Sequence, residues 1–391
     1  MDHASHAPDA VAKSAPAHAR SAVRRIAEIV VMAMFLGVIC LPLAGKLLPA
    51  QGAFALTENR RPAPLPIFHL SGPGWGYSLV SFPRRFERYW NDSFAFRWYL
   101  IRAHSLAKLA FGVSPSPKAL VGQNGFLFYA GEQSVDYFRN VRPFTAAELA
   151  HWRADLEERR DWLAARGIRY LVVVAPDKET IYPEYMPPAL KPVRGESRLD
   201  QLLADLRVHS SVDILDLRPA LERAKAERRV YHKTDTHWND AGALAASGVI
   251  LDRVHEWFPA TDDAPLQGTL QTRAAAGGDL ARILALEDRF PEQRIDWQPA
   301  SPPRARAVAL DDQPSADVTA LECTECSGPR VVMNHDSFNT NLAPLLAERF
   351  SRLVLVDGSR LLPNLIEREQ PDAVIQEFVE RALMCPDLRG C

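Results

Sequence analysis

The apolar and polar positions of this chain fall into stretches of different rhythm. Residues 1–25 are rich in Ala, Ser and His and carry Lys13, Arg20, Arg24 and Arg25, after which residues 29–44 contain no charge. Extended to residues 26–48, with Glu28 and Lys46 near its ends, the apolar stretch reaches the roughly 20 residues that a bilayer-spanning helix needs. Residues 51–76 are rich in Pro and Gly without a sustained period and read as a linker. Residues 83–109 alternate aromatics with Arg and predict one or two amphipathic helices with snorkelling arginines. Residues 122–129 read as a turn entering a short strand.

From residue 145 helix and strand alternate. A charged amphipathic helix is predicted over 145–166, with Thr145 and Glu148 in capping-box spacing and Gly167 ending it, followed by an apolar strand over 170–175. The pattern recurs as a helix over 198–208, a strand over 212–215 and a helix after Asn239. Further on come a strand over 330–333, a helix over 342–350, and strands over 353–356 and 373–375. Short apolar strands separated by helices predict an α/β fold with a mostly parallel sheet covered on both faces, which places its sites at the carboxyl ends of the strands. Between residues 258 and 329 the period fades into Pro-, Ala- and Asp-rich sequence, read as an insertion or lid, in which Gly277-Gly278-Asp279-Leu280 opens a helix. The expected plan is therefore a cytoplasmic tail (1–25), a transmembrane anchor or signal segment (26–48), a linker (49–80) and one main domain (81–391, with 258–329 inserted).

Composition changes this picture little. The chain has 391 residues, 47% of them hydrophobic and 24% charged, with a formal net charge of −2, so it can bury a full core and carries no basic track for nucleic acid. The charge ahead of the apolar stretch matters more. Positive residues before it and few just after it put the N-terminus in the cytoplasm and the rest outside, as a single-pass inner-membrane protein facing the periplasm. A cleaved signal peptide ending near Ala53-Phe54-Ala55 is the competing reading, and both export the domain. Cys40 lies in the apolar stretch, which leaves Cys323, Cys326, Cys385 and Cys391, an even set for two disulfides in an oxidising compartment. Their spacing leaves the connectivity open, and Cys323-Thr-Glu-Cys326 also has metal-ligand spacing, although no second such pair completes a zinc site.

Ser337 follows directly on the strand over 330–333, in Asn334-His335-Asp336-Ser337-Phe338, at the turn where a parallel strand ends and a helix begins. Backbone N–H groups there can hold a developing oxyanion, although a serine at such a place can also simply cap the helix. A second segment, residues 231–239, carries Asp235 and His237 two apart and is read as lying between a strand and a helix. A histidine there can take a serine proton while the aspartate orients its ring, the chemistry of a serine nucleophile. His232, Asp235, His237 and His335 form an alternative metal-ligating set, which would leave Ser337 without a task. Ser93, in Asn91-Asp92-Ser93-Phe94, locally copies the Ser337 segment but follows no apolar strand and reads as a capping or packing serine.

Residues 80–385 resemble the periplasmic alginate O-acetyltransferase family, whose catalytic domain is similar to SGNH hydrolases with a circularly permuted strand order. The resemblance rests on Asp235-Thr-His-Trp238, on His335-Asp-Ser-Phe338, on residues 176–185 from Pro-Asp-Lys-Glu to Pro-Glu-Tyr, on Gly125-Phe-Leu-Phe-Tyr129 and on residues 366–381. It implies a triad of Ser337 as nucleophile, His237 as base and Asp235 as acid. It makes Ser337 and Gly358 the candidate oxyanion donors. His335 stands where ordinary SGNH enzymes have a Gly, and residues 376–381 replace their Gly-x-Asn-Asp block, so the side-chain oxyanion donor is unassigned and Arg381 is expected to pair with Glu377 or Glu380. The implied function is transfer of acetyl through a serine acyl-enzyme to hydroxyls of an exopolysaccharide such as alginate, with no cofactor. Because acetyl-CoA is cytoplasmic, a multi-pass membrane O-acyltransferase is the expected donor partner. A polysaccharide acetylesterase using the same triad and a non-catalytic assembly subunit are the alternatives.

Overall fold

A computed structural model describes residues 17–45, 63–67, 75–92, 97–310 and 318–388. The chain divides into two compact units, residues 1–56 with 60–101, and residues 57–59 with 102–391. The first contains α1 (Ala17–Gly45), α2 (Trp75–Asp92) and the start of α3 (Arg97–Ala110). Residues 25–38 and Cys40 of α1 all expose their side chains. Among the described residues no helix is long and apolar enough to cross a membrane.

The second unit opens with β1 (Ala119–Val121) and β2 (Leu127–Tyr129), an antiparallel hairpin turned by Asn124 and Gly125, both at positive φ. After α4 (Ser134–Phe138), α5 (Ala146–Ala164) starts in a formed capping box between Thr145 and Glu148, and Gly167 at φ 74° reverses the chain into β3 (Arg169–Ala175). The short α6 (Lys178–Ile181) is followed by α7 (Arg198–His209), which has a second capping box between Ser197 and Asp200, and by β4 (Asp213–Asp216). Then come α8 (Arg218–Glu227), α9 (Asp240–Trp257), β5 (Gly268–Ala275), α10 (Asp279–Ile283), β6 (Glu292–Pro299), β7 (Arg306–Val308) and β8 (Val318–Glu322). The chain finishes with β9 (Gly328–His335), α11 (Asn339–Ala347), β10 (Phe350–Asp357), α12 (Pro363–Glu369) and β11 (Ala373–Val379).

One sheet runs in the order β4-β3-β11-β9-β10-β8-β7. The strands from β4 to β10 are parallel, whereas β8 pairs antiparallel with β10 and β7 with β8, so the sheet is mixed rather than simply parallel. The antiparallel strands come from the aperiodic stretch between residues 258 and 329. Its other part is the β5–β6 hairpin, a separate two-stranded sheet. Alternate residues of the central strands enter opposite cores. Leu171, Val173, Val331, Met333 and Ile375 pack with Ala243, Ala246 and Ile250 of α9 and Leu342 and Leu346 of α11. Val172, Val174, Val332, Val374 and Phe378 pack with Trp152, Leu156 and Leu163 of α5 and Leu199 and Leu202 of α7. This burial on both faces is why the strands read as unbroken apolar runs.

β9 has β10 on one side and β11 on the other, so the chain leaves it at a point where the winding direction reverses. Disulfides join Cys323 to Cys326, and Cys385 is also disulfide-bonded, while Cys391 lies outside the described residues. Cys40 is free.

Candidate active site

β9 ends at His335, and the turn of Asp336, Ser337 and Phe338 leads into α11. Asp336 fixes this turn from three directions. Its N–H donates to Glu377 Oε2 at 3.1 Å, its Oδ1 accepts the Phe338 N–H at 2.9 Å, and its Oδ2 accepts the Val379 N–H at 2.8 Å. Glu377 is wholly buried, and burial together with the Asp336 charge pushes its carboxyl well above the usual range. The Ser337 N–H has no hydrogen-bond partner among the described residues. Gly358, the other candidate oxyanion donor, has its N–H engaged in strand pairing. Its N–H donates to the His335 carbonyl at 2.8 Å, because the chain leaving β10 at φ 89° continues the pairing with β9.

The segment carrying Asp235 and His237 is a closed loop between α8 and α9, not the sequel of a strand. A bridge between Tyr231 and Trp238 shuts it, reinforced by the His232 N–H donating to the His237 carbonyl at 3.2 Å. Asn239 locks its exit: the side chain accepts the Ala241 and Gly242 N–H groups as the cap of α9 and donates to the Arg229 carbonyl at 2.8 Å. Gly242 allows this closure, since a Cβ there would lie 2.4 Å from the Val230 carbonyl oxygen.

The tertiary fold brings this loop over the β9 turn. His237 Nδ1 lies 2.8 Å from Asp235 Oδ1, and His237 Nε2 lies 2.8 Å from Ser337 Oγ. Phe338 backs the imidazole with ring centroids 5.1 Å apart, and the Trp238 indole N–H donates to the Phe338 carbonyl at 3.1 Å, tying loop to turn. Burial acts to lower the His237 pKa, but the hydrogen bond and charge of Asp235, with Asp279 and Asp336, outweigh it and leave the pKa above its ordinary value. Burial likewise opposes ionisation of Asp235, yet the contact to His237 and two backbone N–H donors hold its carboxyl below the usual carboxylate range. A neutral imidazole with Nδ1–H on Asp235 thus presents Nε2 to the serine, as proton abstraction requires.

Several parts of the site were not legible from spacing. Gly277-Gly278-Asp279 reads in sequence only as the opening of a helix, but the Asp279 N–H donates to Asp235 Oδ2 at 3.0 Å, and Asp279 in turn accepts the Thr236 N–H at 2.7 Å and hydroxyl at 2.9 Å. Arg381 pairs with neither Glu377 nor Glu380. Its guanidinium meets Asp177 Oδ1 at 2.5 Å and Glu132 Oε2 at 2.9 Å, because Glu377 is engaged by Asp336 and Glu380 accepts the Tyr137 hydroxyl and the Asp177 N–H. Among the described residues, the imidazole and carboxylate atoms that crowd within 4.8 Å are those of Asp235, His237 and Asp279, not His232 or His335. The carboxylates of that trio already accept N–H and hydroxyl donors, and His335 Nδ1 sits 2.9 Å from the Asp336 carbonyl. Ser93 lies outside the described residues.

The chain is 26% identical over 182 residues to the probable alginate O-acetylase AlgJ of Pseudomonas aeruginosa, covering 45% of this chain and 43% of that protein. It is 29% identical over 183 residues to the protein of the same name from Pseudomonas syringae pv. tomato, covering 44% and 43%. The chain thus matches less than half the length of these relatives. The solved structure of Bacillus cereus PatB1 shares the fold, with a TM-score of 0.52 and 14% identity over 68% of this chain and 96% of that one. Residues 119–334, more than half the chain and ending three residues short of Ser337, match the family described as the SGNH hydrolase-like domain of acetyltransferase AlgX, and this chain belongs to that family.

Proposed function

We propose that this chain is a serine-dependent O-acetyltransferase that carries acetyl on Ser337 to hydroxyls of an exopolysaccharide such as alginate. The observation that carries the proposal is the continuous relay of 2.8 Å contacts from Ser337 through His237 to Asp235. In the first half-reaction Ser337 Oγ bonds to the acetyl carbonyl carbon while His237 Nε2 takes its proton and returns it to the departing donor oxygen or sulfur. In the second, a sugar hydroxyl attacks the acyl-serine, His237 takes the hydroxyl proton, and the proton returns to Ser337 as the new ester leaves. The Ser337 N–H, without a partner among the described residues, is an available oxyanion donor. The names of the Pseudomonas relatives support alginate as the acceptor.

The same reading makes the donor a multi-pass membrane O-acyltransferase that hands acetyl across the inner membrane, with residues 1–48 exporting this domain and holding it on the periplasmic side. The exposed apolar side chains of α1, from Ile26 to Val38, support that placement. Purified protein given a synthetic acetyl ester and uronate or glucose oligosaccharides tests the chemistry, with mass spectrometry of the products. Acetylated sugar is expected, with a loss of at least about 10³-fold in Ser337→Ala. Free acetate as the only product, at every acceptor concentration, would replace transfer by esterase action.

A further inference from the structure

Lys178 stands in the motif of residues 176–185 that carried much of the sequence resemblance but no role. It is 1% exposed, at the start of a short helix. Among the described residues no carboxylate meets its ammonium. Instead Nζ donates to three carbonyls of one loop, those of His232 at 3.3 Å, Lys233 at 3.2 Å and Asp235 at 2.7 Å, while lying 5.3 Å from the centroid of the Phe128 ring. A buried ammonium costs several hydrogen bonds to water, and here all three of its protons are spent on the backbone of residues 232–235.

We propose that Lys178 is a positioning residue for the acyl-transfer site: its ammonium clamps the loop that carries Asp235 and His237 and supplies a buried positive charge beneath the acid. The inference rests on the Ser337, His237 and Asp235 reading given above. A neutral donor such as an amide holds two carbonyls at most, whereas an ammonium reaches three and adds a charge. That charge sits among Glu179 of its own helix, Asp235 of the loop, Asp279 of α10 and Glu292 of β6, and burial lowers the lysine pKa to about 8 against their pull. Around His237 the facing charges are Asp235, Asp279 and Asp336, all acidic, and Lys178 interacts by charge with Asp235 and Asp279, so its ammonium opposes the pull of those two toward the imidazolium.

The test is the rate at which the full chain's Ser337 is labelled by a sulfonyl fluoride, followed across pH by mass spectrometry. Below the Lys178 pKa of about 8, wild type should gain rate with pH as His237 loses its proton. Lys178→Met keeps the length but removes donors and charge, so labelling should slow at least tenfold and the midpoint should move to higher pH. Lys178→Arg keeps the charge but its planar fork misfits the three carbonyls, so labelling should slow while the midpoint stays. Slower labelling in Lys178→Met with an unmoved midpoint would reduce Lys178 to a packing residue and overturn the proposal. If Lys178→Met does not fold, Lys178→Arg decides: a wild-type rate overturns the clamp. Failure of the underlying triad has a different signature, namely undiminished adduct formation in Ser337→Ala.

Discussion

At the scale of single residues, the proposed reactivity depends on how far the protein raises the basicity of one imidazole. His237 is half-buried, which by itself favours the neutral ring, yet it is surrounded by carboxylates that favour the imidazolium, and the carboxylates win. Since only the neutral ring can accept the Ser337 proton, acetyl transfer should fall in acid with a midpoint above the ordinary histidine value of about 6.5. Asp235→Asn removes the charge that favours the imidazolium, so its midpoint should move to lower pH. It also frees the wrong tautomer, and kcat should drop by about 10³- to 10⁴-fold. A pH profile of transfer for the two proteins checks both, and an unshifted midpoint in Asp235→Asn would show that this carboxylate does not govern the base.

At the scale of elements, the acid is held by a helix start that contributes no side chain to the relay. α10 is only five residues long, and its approach to Asp235 depends on Gly278, where a Cβ would stand 2.5 Å from Asp235 Cβ and 2.8 Å from Oδ2. Gly278→Ala must therefore push Asp235 away from the Asp279 N–H. It should cost about 1–3 kcal/mol of stability by overpacking and reduce kcat by about 10²-fold through misplacement of the base. Thermal melting with steady-state kinetics measures both, and a variant with wild-type kcat would show that α10 only borders the site. β11 gives the complementary case. Its apolar run breaks at Gln376 and Glu377, and a reading by period ends the strand at Ile375. The strand continues to Val379, where Arg159 donates to the buried Gln376 Oε1 at 2.8 Å and the Asp336 N–H donates to Glu377 Oε2, so one side-chain oxygen of each polar residue is met inside the sheet while Gln376 Nε2 and Glu377 Oε1 have no partner among the described residues.

At the scale of the whole molecule, the proposed chemistry needs the domain and its acetyl donor on a common membrane. Four positive residues, Lys13, Arg20, Arg24 and Arg25, precede the apolar segment, which predicts an inside N-terminus and an exported domain. A phosphatase or fluorescent reporter fused after Arg60 reads this directly: alkaline phosphatase should be active there and a reporter that folds only in the cytoplasm should be dark. Cytoplasmic activity at that position would reverse the orientation and remove the case for a trans-membrane acetyl relay.

Residues whose geometry is settled by near neighbours are legible along the chain. Thr145 with Glu148 and Gly167 mark a helix start and stop, the runs at residues 170–175 and 330–333 mark strands buried on two faces, and Ser337 just beyond such a strand marks the turn that meets His237. Asp235 and His237, two residues apart, announced each other for the same reason: their contact is local. What lies far apart along the chain was decided only in three dimensions. The 100 residues between His237 and Ser337, the meeting of Asp279 with Asp235, the diversion of Arg381 to Asp177 and Glu132, and the use of Gly358 in strand pairing all follow from how the sheet is ordered. So does its mixed character, since β8 and β7 carry short, weakly periodic sequence that becomes strand only against the edge offered by β10. A hydrogen bond between distant residues leaves no period in either segment, whereas a cap, a buried strand or an i, i+2 pair writes its geometry into neighbouring positions.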